Sequence, residues 1–414
     1  MAPSPKLIDK LERRLPPDAL AIFTATRAAA GAEGLRAYLV GGAVRDLLLE
    51  SPSLDIDIVV EGDAIAVARI AAQVAGARLA KTTAFGTATV RAGDAVIDIA
   101  TARAEVYAHP GALPRVTPST IDDDLLRRDF TINAMALQLT EPAPGKLLDP
   151  TGGEADLRAK LVRVLHDRSF QDDATRILRA VRCEARFGFR LEERTLDLLA
   201  RDIAYLDTIS GTRIRQELAR TFAEPSPEQA VARLRELAVF EAIHPSLSPG
   251  FDQASAFARL RDTAAPAVSA WPLLCWNVPE AKMGDLARRL ALTRPQRTAV
   301  EAVPAARRAG QQLAGDVRPS EATRLLDELP LPTVHALAAV SRAAGALAYL
   351  AVWRTLRPSL RGDALLEMGV QPGPEVGRVL ARLRAAKLDG EVKSRADEER
   401  LVEQFLARER IGLA

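Results

Sequence analysis

Apolar and polar positions along this chain follow two rhythms, and the change between them falls near residue 150. From residue 36 to about 140 the apolar positions come in short runs, several of them alternating with polar ones, which is the spacing of pleated strands. The pattern predicts strands at Ala37–Val40, Asp55–Val60, Arg78–Thr82, Thr87–Arg91, Ala95–Ala100 and Ala134–Leu139. Between the second and third lies an Ala-rich helix, Asp63–Ala75, with Asp63 placed as its N-cap. Ahead of the strands, Pro16-Pro17 separates two short amphipathic pieces. After Pro150 the rhythm is helical: Asp173–Phe187, Glu192–Asp202, Arg213–Thr221, Glu228–Leu237 and Met283–Ala291 place apolar residues at i, i+3 and i+4. Breaks fall at Gly188, Pro225/Pro227, Pro245/Pro249, Pro330/Pro332 and Pro372/Pro374. Arg103–Pro118, with Pro110-Gly111 and Pro114, predicts an irregular loop. The expected fold class is therefore α+β: a mixed sheet of five or six strands in residues 1–150, then helices alone through 151–250 and 251–414.

Composition narrows the function classes. The chain has 414 residues, 48% hydrophobic and 27% charged, which suits several soluble domains with real cores. No apolar run approaches the ~20 residues of a membrane span, and the first residues lack the apolar core of a signal peptide. Cys183 and Cys275 stand far apart, which argues against a zinc site or a disulfide framework and for a reducing, cytoplasmic location. Four scattered histidines give no metal-spaced His-Asp pair, so an appended metal-dependent phosphohydrolase domain is not expected. Net charge is only +2, but residues 1–150 hold 16 Lys and Arg against 19 Asp and Glu, while residues 251–414 hold 24 against 19. An acidic front and a basic rear permit a metal in front and a polyanion behind.

The chemistry concentrates in four stretches. Tyr-Leu-Val-Gly41-Gly42-Ala-Val-Arg45-Asp46 runs from a strand through a glycine turn into a helix, which lets backbone N–H groups approach a phosphate. The next strand carries Asp55 and Asp57 on one face, by the two-residue period, and Ile56 and Ile58 on the other. Two adjacent carboxylates repel unless a cation lies between them, and oxygen donors of this kind suit Mg²⁺ with phosphate oxygens completing its shell. Asp98, on Val96-Ile97-Asp98-Ile99, either supplements that pair or salt-bridges an arginine. Arg127, Arg128, Asp129 and Asn133 follow an acidic helical stretch; arginine forks suit phosphate oxygens and Asp and Asn suit ribose hydroxyls, while a surface ion-pair cluster is the alternative. Last, Asp172, Asp173, Arg176 and Arg179 have helical spacing near a helix start. They are either an exposed salt-bridge face or a reader of base edges, the carboxylate accepting from an exocyclic amine and the guanidinium donating to ring acceptors.

Taken in order, Gly41-Gly42-x-x-Arg45-Asp46, Asp55-x-Asp57, Arg127-Arg-Asp-Phe-Thr-Ile-Asn-Ala, Asp149-Pro-Thr-Gly-Gly-x-x-Asp156-Leu, Asp172-Asp-x-x-Arg-Ile-Leu-Arg-Ala and Ser210-Gly-Thr-Arg213-Ile-Arg-Gln-Glu217-Leu resemble the successive motifs of class II, bacterial-type tRNA nucleotidyltransferases and their poly(A) polymerase relatives. The resemblance spans roughly residues 36–240. It implies a nucleotidyltransferase head (1–150), a helical neck that recognises the base (151–250) and a helical body and tail that grip the tRNA acceptor arm (251–414). It implies that Asp55 and Asp57 bind two Mg²⁺ ions, that Gly41, Gly42 and Arg45 hold the triphosphate, and that Arg127, Arg128, Asp129 and Asn133 contact the nucleotide. Asp173 and Arg176, with Asp172 and Arg179 beside them, would select CTP and ATP. The expected activity is addition of CCA, or its CC or A part, to tRNA 3′ ends; the alternatives are poly(A) addition to other RNAs and a non-catalytic RNA-binding protein of the same fold. One departure stands out: the family usually has Glu-Asp where this chain has Asp172-Asp173. The Arg103–Pro118 stretch coincides with the family's flexible element for switching from C to A addition.

Overall fold

The computed structural model describes residues 6–52, 55–112, 114–247, 252–263 and 265–412. Eleven strands occur among them: β1 (Ala37–Val40), β2 (Ile56–Val60), β3 (Arg78–Thr82), β4 (Thr87–Ala92), β5 (Ala95–Thr101), β6 (Arg103–Val106), β7 (Arg115–Pro118), β8 (Ala136–Gln138), β9 (Leu147–Leu148), β10 (Leu161–Val162) and β11 (Arg190–Leu191). Seven of them form one sheet in the order β3-β4-β5-β2-β1-β8-β9, in which β2 and β5 run parallel and the other pairs antiparallel. The six expected strands are all present, and β9 adds a short edge.

Alternation along β2 sorts the sheet's two faces. Ile56, Ile58 and Val60 sink into the larger core with Leu39, Ile97, Ile99 and the helices of residues 17–32 and 64–74. Asp63 caps the second of those helices by accepting from the Ile65 and Ala66 N–H groups, a contribution of about 1 kcal/mol. Val59, on the face of Asp57, packs with Tyr38, Val40, Ile121 and Leu125. The helix Ile121–Leu126 is thereby pressed against the acidic face of the sheet, and Arg127 and Arg128 emerge at its end.

Two expectations need correction here. Arg103–Pro118 is not irregular: β6 and β7 form an antiparallel hairpin with Arg103 opposite Pro118 and Val106 opposite Arg115. Its prolines sit at the tip and at the end of an edge pair, where no ladder N–H is needed. The strand expected from Ala134 begins at Ala136, because Thr131–Asn133 make a tight 3₁₀ turn first. That turn is locked from behind. Asp156 accepts from the Thr131 hydroxyl at 2.7 Å and from Arg163, and Asp149 caps Gly153 and Glu154. A Cβ on Gly153 would strike the Thr131 carbonyl.

The chain packs as two units, Met1–Leu218 with Glu236–Ala242, and Ala219–Arg235 with Ile243–Ala414. Residues 151–218 thus share a unit with the head. The second unit is helical throughout its described residues. Phe222, Phe257 and Trp271 form an aromatic cluster with centroids 5.2 and 5.3 Å apart. A separate core joins Leu360, Leu365, Val379, Leu383 and Val402 near the C-terminus, where the buried Glu398 carboxylate accepts from the Ser359 and Leu360 N–H groups. No helix among the described residues is long and apolar enough to cross a membrane.

Candidate functional site

A cleft of about 400 Å³ opens over the acidic face of the sheet, lined by Gly42, Arg45, Asp57, Glu105, Tyr107, Arg127, Arg128, Asp129, Asn133, Asp173, Arg176 and Arg179. Ten residues singled out from the sequence meet there. Gly41 lies just behind the lining, while Asp55 and Asp172 are outside it.

Asp57 stands on β2 opposite Asp98 on β5, in register. Asp57 lines the cleft and stays exposed to solvent there, the groups around it displacing part of its carboxyl's water, and among the described residues it accepts no hydrogen bond. Desolvation raises its pKa to about 6, with repulsion from Asp98 and Asp55 adding to the shift and Arg128 opposing it. A carboxylate held in that condition is an unneutralised oxygen donor. Asp98 itself accepts from the Thr89 hydroxyl at 2.6 Å, so neither arginine pairing nor metal ligation is needed to account for it. No set of three or more His, Cys, Asp or Glu is arranged around a metal among the described residues. Asp57 in the cleft, with the charge of Asp55 acting on it from two residues before, offers oxygen donors of the kind a hard divalent cation takes.

The glycine turn supplies the wall above. Gly41 has φ 63° and ψ −124°, a conformation closed to side-chain-bearing residues, and a Cβ there would run into the Arg128 guanidinium. Gly41→Ala is therefore expected to lower the melting temperature by about 2–6 °C, from a backbone cost of ~1–2 kcal/mol plus displacement of Arg128. A thermal melt beside a nucleotide-binding titration checks this: wild-type behaviour in both would contradict it.

The arginines are held from below. Asp124, wholly buried, forks under both: Arg127 Nη2 donates to one oxygen at 2.6 Å and Arg128 Nη2 to the other at 2.7 Å. Burial opposes its ionisation, yet Arg128 and Arg127 hold its pKa below the usual carboxylate range. Arg127 also reaches Glu105 on the hairpin at 3.1 Å. Arg45, expected at the triphosphate, is instead largely buried. It donates Nε to Asp46 and Nη1 to Asn133 and stacks 4.4 Å over Phe187, which leaves Nη2 beside Gly42 as its free end.

Asp129 and Asn133, expected at the ribose, sit in a buried relay. Asn133 takes Arg45 on Oδ1 and donates Nδ2 to Asp129, whose other oxygen takes Arg179 at 2.5 Å. Although burial disfavours its charge, Arg179 and the hydrogen bonds from Asn133 and Arg179 depress the Asp129 pKa to about 2. A depressed carboxyl stabilises the fold above its unfolded value of 3.8 and loses that contribution as pH falls toward 2. Thermal melts of wild type and Asp129→Asn between pH 2 and 5 should converge at the acid end; parallel curves would contradict this.

The base-reader expectation needs a geometric correction. Asp173 and Arg176 do not share a helical face, because the helix Ser169–Asp172 ends first, Asp173 is extended, and the next helix starts at Thr175. Asp173 Oδ1 caps that helix by accepting from the Thr175 N–H and hydroxyl, and it also takes Arg213 at 2.7 Å. Its Oδ2 forms no hydrogen bond among the described residues, and Asp173 lines the cleft. Arg176, largely buried at the cleft's lining, donates to the Ser169 hydroxyl at 2.6 Å, the Ser169 carbonyl at 3.5 Å and the Arg127 carbonyl at 2.8 Å. Asp172 lies 3.8 Å from His166 and 3.9 Å from Arg168, away from the lining.

Sequence reasoning gave no role to Glu105, Tyr107 and Asp124, and noted Arg213 only as part of a motif. The signals existed: Arg103, Glu105 and Tyr107 keep a two-residue period, and Asp124 stands three and four residues before the arginines. They were hidden by the loop reading and by the acidic run Asp122–Asp124.

Comparison with known proteins bears on the family and the fold. Residues 37–163 match the family described as the poly A polymerase head domain, and residues 188–251 match the one described as the probable RNA and SrmB- binding site of polymerase A. An A-adding tRNA nucleotidyltransferase of Geobacter sulfurreducens is 31% identical over 96% of this chain, which spans only 48% of that relative's length. A CC-adding tRNA nucleotidyltransferase of Deinococcus radiodurans is 34% identical over 87% of each chain. The structure of the Thermotoga maritima CCA-adding enzyme complexed with tRNA superposes with a TM-score of 0.78 at 31% identity, covering 97% of this chain and 98% of that one. With the head, the helical parts and nearly the whole length of one curated relative matched, the chain belongs to the tRNA nucleotidyltransferase family.

Proposed function

We propose that this protein transfers nucleotides from CTP or ATP, or both, to the 3′ end of tRNA, building CCA or its CC or A part without a nucleic-acid template. The observation that carries the reading is one cleft holding three kinds of group. They are an unneutralised carboxylate (Asp57), two arginines braced by Asp124 with Arg128 at the glycine turn (Arg128, Arg127), and a carboxylate with an arginine from adjoining segments (Asp173, Arg176). Nucleotidyl transfer needs those three and little else. A bond forms between the RNA 3′-oxygen and the α-phosphorus, the bond to the β-phosphate oxygen breaks, and pyrophosphate leaves.

Asp55 and Asp57 would hold Mg²⁺, which when bound stabilises the attacking and leaving oxygens of an in-line displacement. Arg128, with the Gly41-Gly42 backbone, meets the triphosphate, and the free Arg45 Nη2 extends that surface. Asp124 keeps both arginine forks aimed before substrate arrives, so little orientation is left to lose on binding. Asp173 Oδ2 accepts the exocyclic amine shared by cytosine and adenine, which uracil and guanine do not present at that edge position. The division into a head at 1–150, a base-reading neck at 151–250 and a tRNA-holding body and tail at 251–414 belongs to this proposal.

The test is incorporation of labelled CTP and ATP with Mg²⁺ on tRNA transcripts ending at the discriminator base, after CC, and after CCA. Extension of the first by C then A marks a complete CCA-adding enzyme. Extension that halts after CC, or A added only to the CC-ended transcript, marks one half of a two-enzyme system. Long A tails on any RNA would favour the poly(A) reading, and no incorporation would overturn the proposal. Within the same assay Arg176→Ala should admit UTP and GTP; lost rate with CTP and ATP preference intact would contradict its reading role.

A further inference from the structure

Apart from Gly42 and Tyr107, every residue that lines the cleft is charged or an amide. Tyr107, just beyond β6, is the single aromatic ring among the described lining residues. Its hydroxyl donates to Glu105 Oε2 at 3.0 Å, and Glu105 is fixed in turn by Arg127 and by Arg103 at 2.9 Å. The ring is thus held by its edge on a hairpin whose backbone is paired, with its hydroxyl spent inside the protein. With the hydroxyl engaged, the half-buried ring in the lining has its π system left to offer a ligand. Asp173 and Arg176 line the same cleft, so the ring shares it with the groups that would read the base.

A nucleobase entering the cleft meets hydrogen-bonding partners at its edge through Asp173 and Arg176, but its flat surface needs an apolar plane. We propose that Tyr107 is the stacking platform for the base of the incoming nucleotide. The hairpin Arg103–Pro118 then serves as a wall of the nucleotide site, clamped to the phosphate-binding arginine by Glu105. Stacking is tolerant of base identity, so Tyr107 contributes affinity for CTP and ATP alike and leaves discrimination to the edge readers. This inference rests on the nucleotide-binding reading above.

Equilibrium dialysis of ATP and CTP against the full chain, without tRNA, tests it, together with photolabelling by 8-azido-ATP and peptide mapping. Tyr107→Ala should weaken both Kd values about tenfold, the scale of one lost base–aromatic stack. Tyr107→Phe, which keeps the ring and loses the hydroxyl, should recover most of that loss. Photolabel on wild-type protein should map to the peptide containing Tyr107, a readout that does not depend on how a variant folds. Unchanged affinity in the alanine variant, equal loss in both variants, or label confined to other peptides would overturn the stacking role. Wild-type protein that binds neither nucleotide would overturn the functional reading itself, a separate outcome.

Discussion

Asp57→Asn is expected to lower nucleotide incorporation at least about a thousandfold, the scale of losing a several-kcal/mol contribution from a bound metal. The same variant, free of metal, should melt at or above the wild-type temperature near pH 7. The physical reason is the elevated pKa of about 6. Desolvation, with repulsion from Asp98 and Asp55, makes the charged form unwelcome in the fold, and a group whose folded pKa is raised loses stability as pH climbs through it. Asparagine keeps the shape and removes that charge. Affinity for tRNA should stay within about twofold, since the phosphate and shape contacts of an RNA duplex do not depend on this carboxyl. Activity assays, melts with chelator and a filter-binding titration check the three parts. A dead variant that is also clearly less stable would assign Asp57 to the fold, and an active one would remove it from metal binding.

Asp124→Ala is expected to harm activity and stability together. This carboxylate is wholly buried, and each of its oxygens takes one arginine, at 2.6 and 2.7 Å. Removing one member of such a cluster leaves the partners without compensation, at a cost of about 3–5 kcal/mol for a buried pair. Arg127 and Arg128 retain some solvent access, so the lower end of that range is expected, a fall in melting temperature of several degrees. With the fork gone, Arg128 leaves the Gly41 turn and Arg127 leaves Glu105. A rise in KM for the nucleotide of about tenfold should accompany a fall in kcat, because the arginines orient the triphosphate as well as bind it. Calorimetry and steady-state kinetics read both effects. Wild-type KM in a variant of reduced stability would confine Asp124 to a structural role.

How much of this was legible in the sequence depended on whether a local rule governed the residue. Ile56, Asp57 and Ile58 obey the strand period, and the structure sorts them between core and cleft as that period requires. Asp63 obeys the N-cap rule and caps its helix. The two short runs around Tyr107 follow the same period, but prolines at positions 110, 114 and 118 outweighed it, so a paired hairpin read as a loop. Helical spacing through Asp172–Arg179 was also misleading. The Asp173 side chain competes with the helix by bonding Thr175, which breaks the run into two helices. The motif residues were found, yet their partners were not. Nothing local says that Asp129 will take Arg179 from fifty residues away, or that Asp173 will take Arg213 from forty. Those pairings come from the way the helices 175–187 and 211–222 pack, which only the folded chain shows.

This cleft is expected to extend tRNA 3′ ends by a fixed, short sequence chosen by the protein. Sequencing the 3′ ends of a tRNA transcript lacking CCA, after incubation with the full chain, Mg²⁺ and all four nucleoside triphosphates, tests it most directly. A second transcript already ending in CC goes through the same reaction. One or both are expected to gain only C and A residues in CCA order and to stop at or before the terminal A. Untouched ends, U or G insertions at the wild-type site, or tails running on past CCA would contradict it.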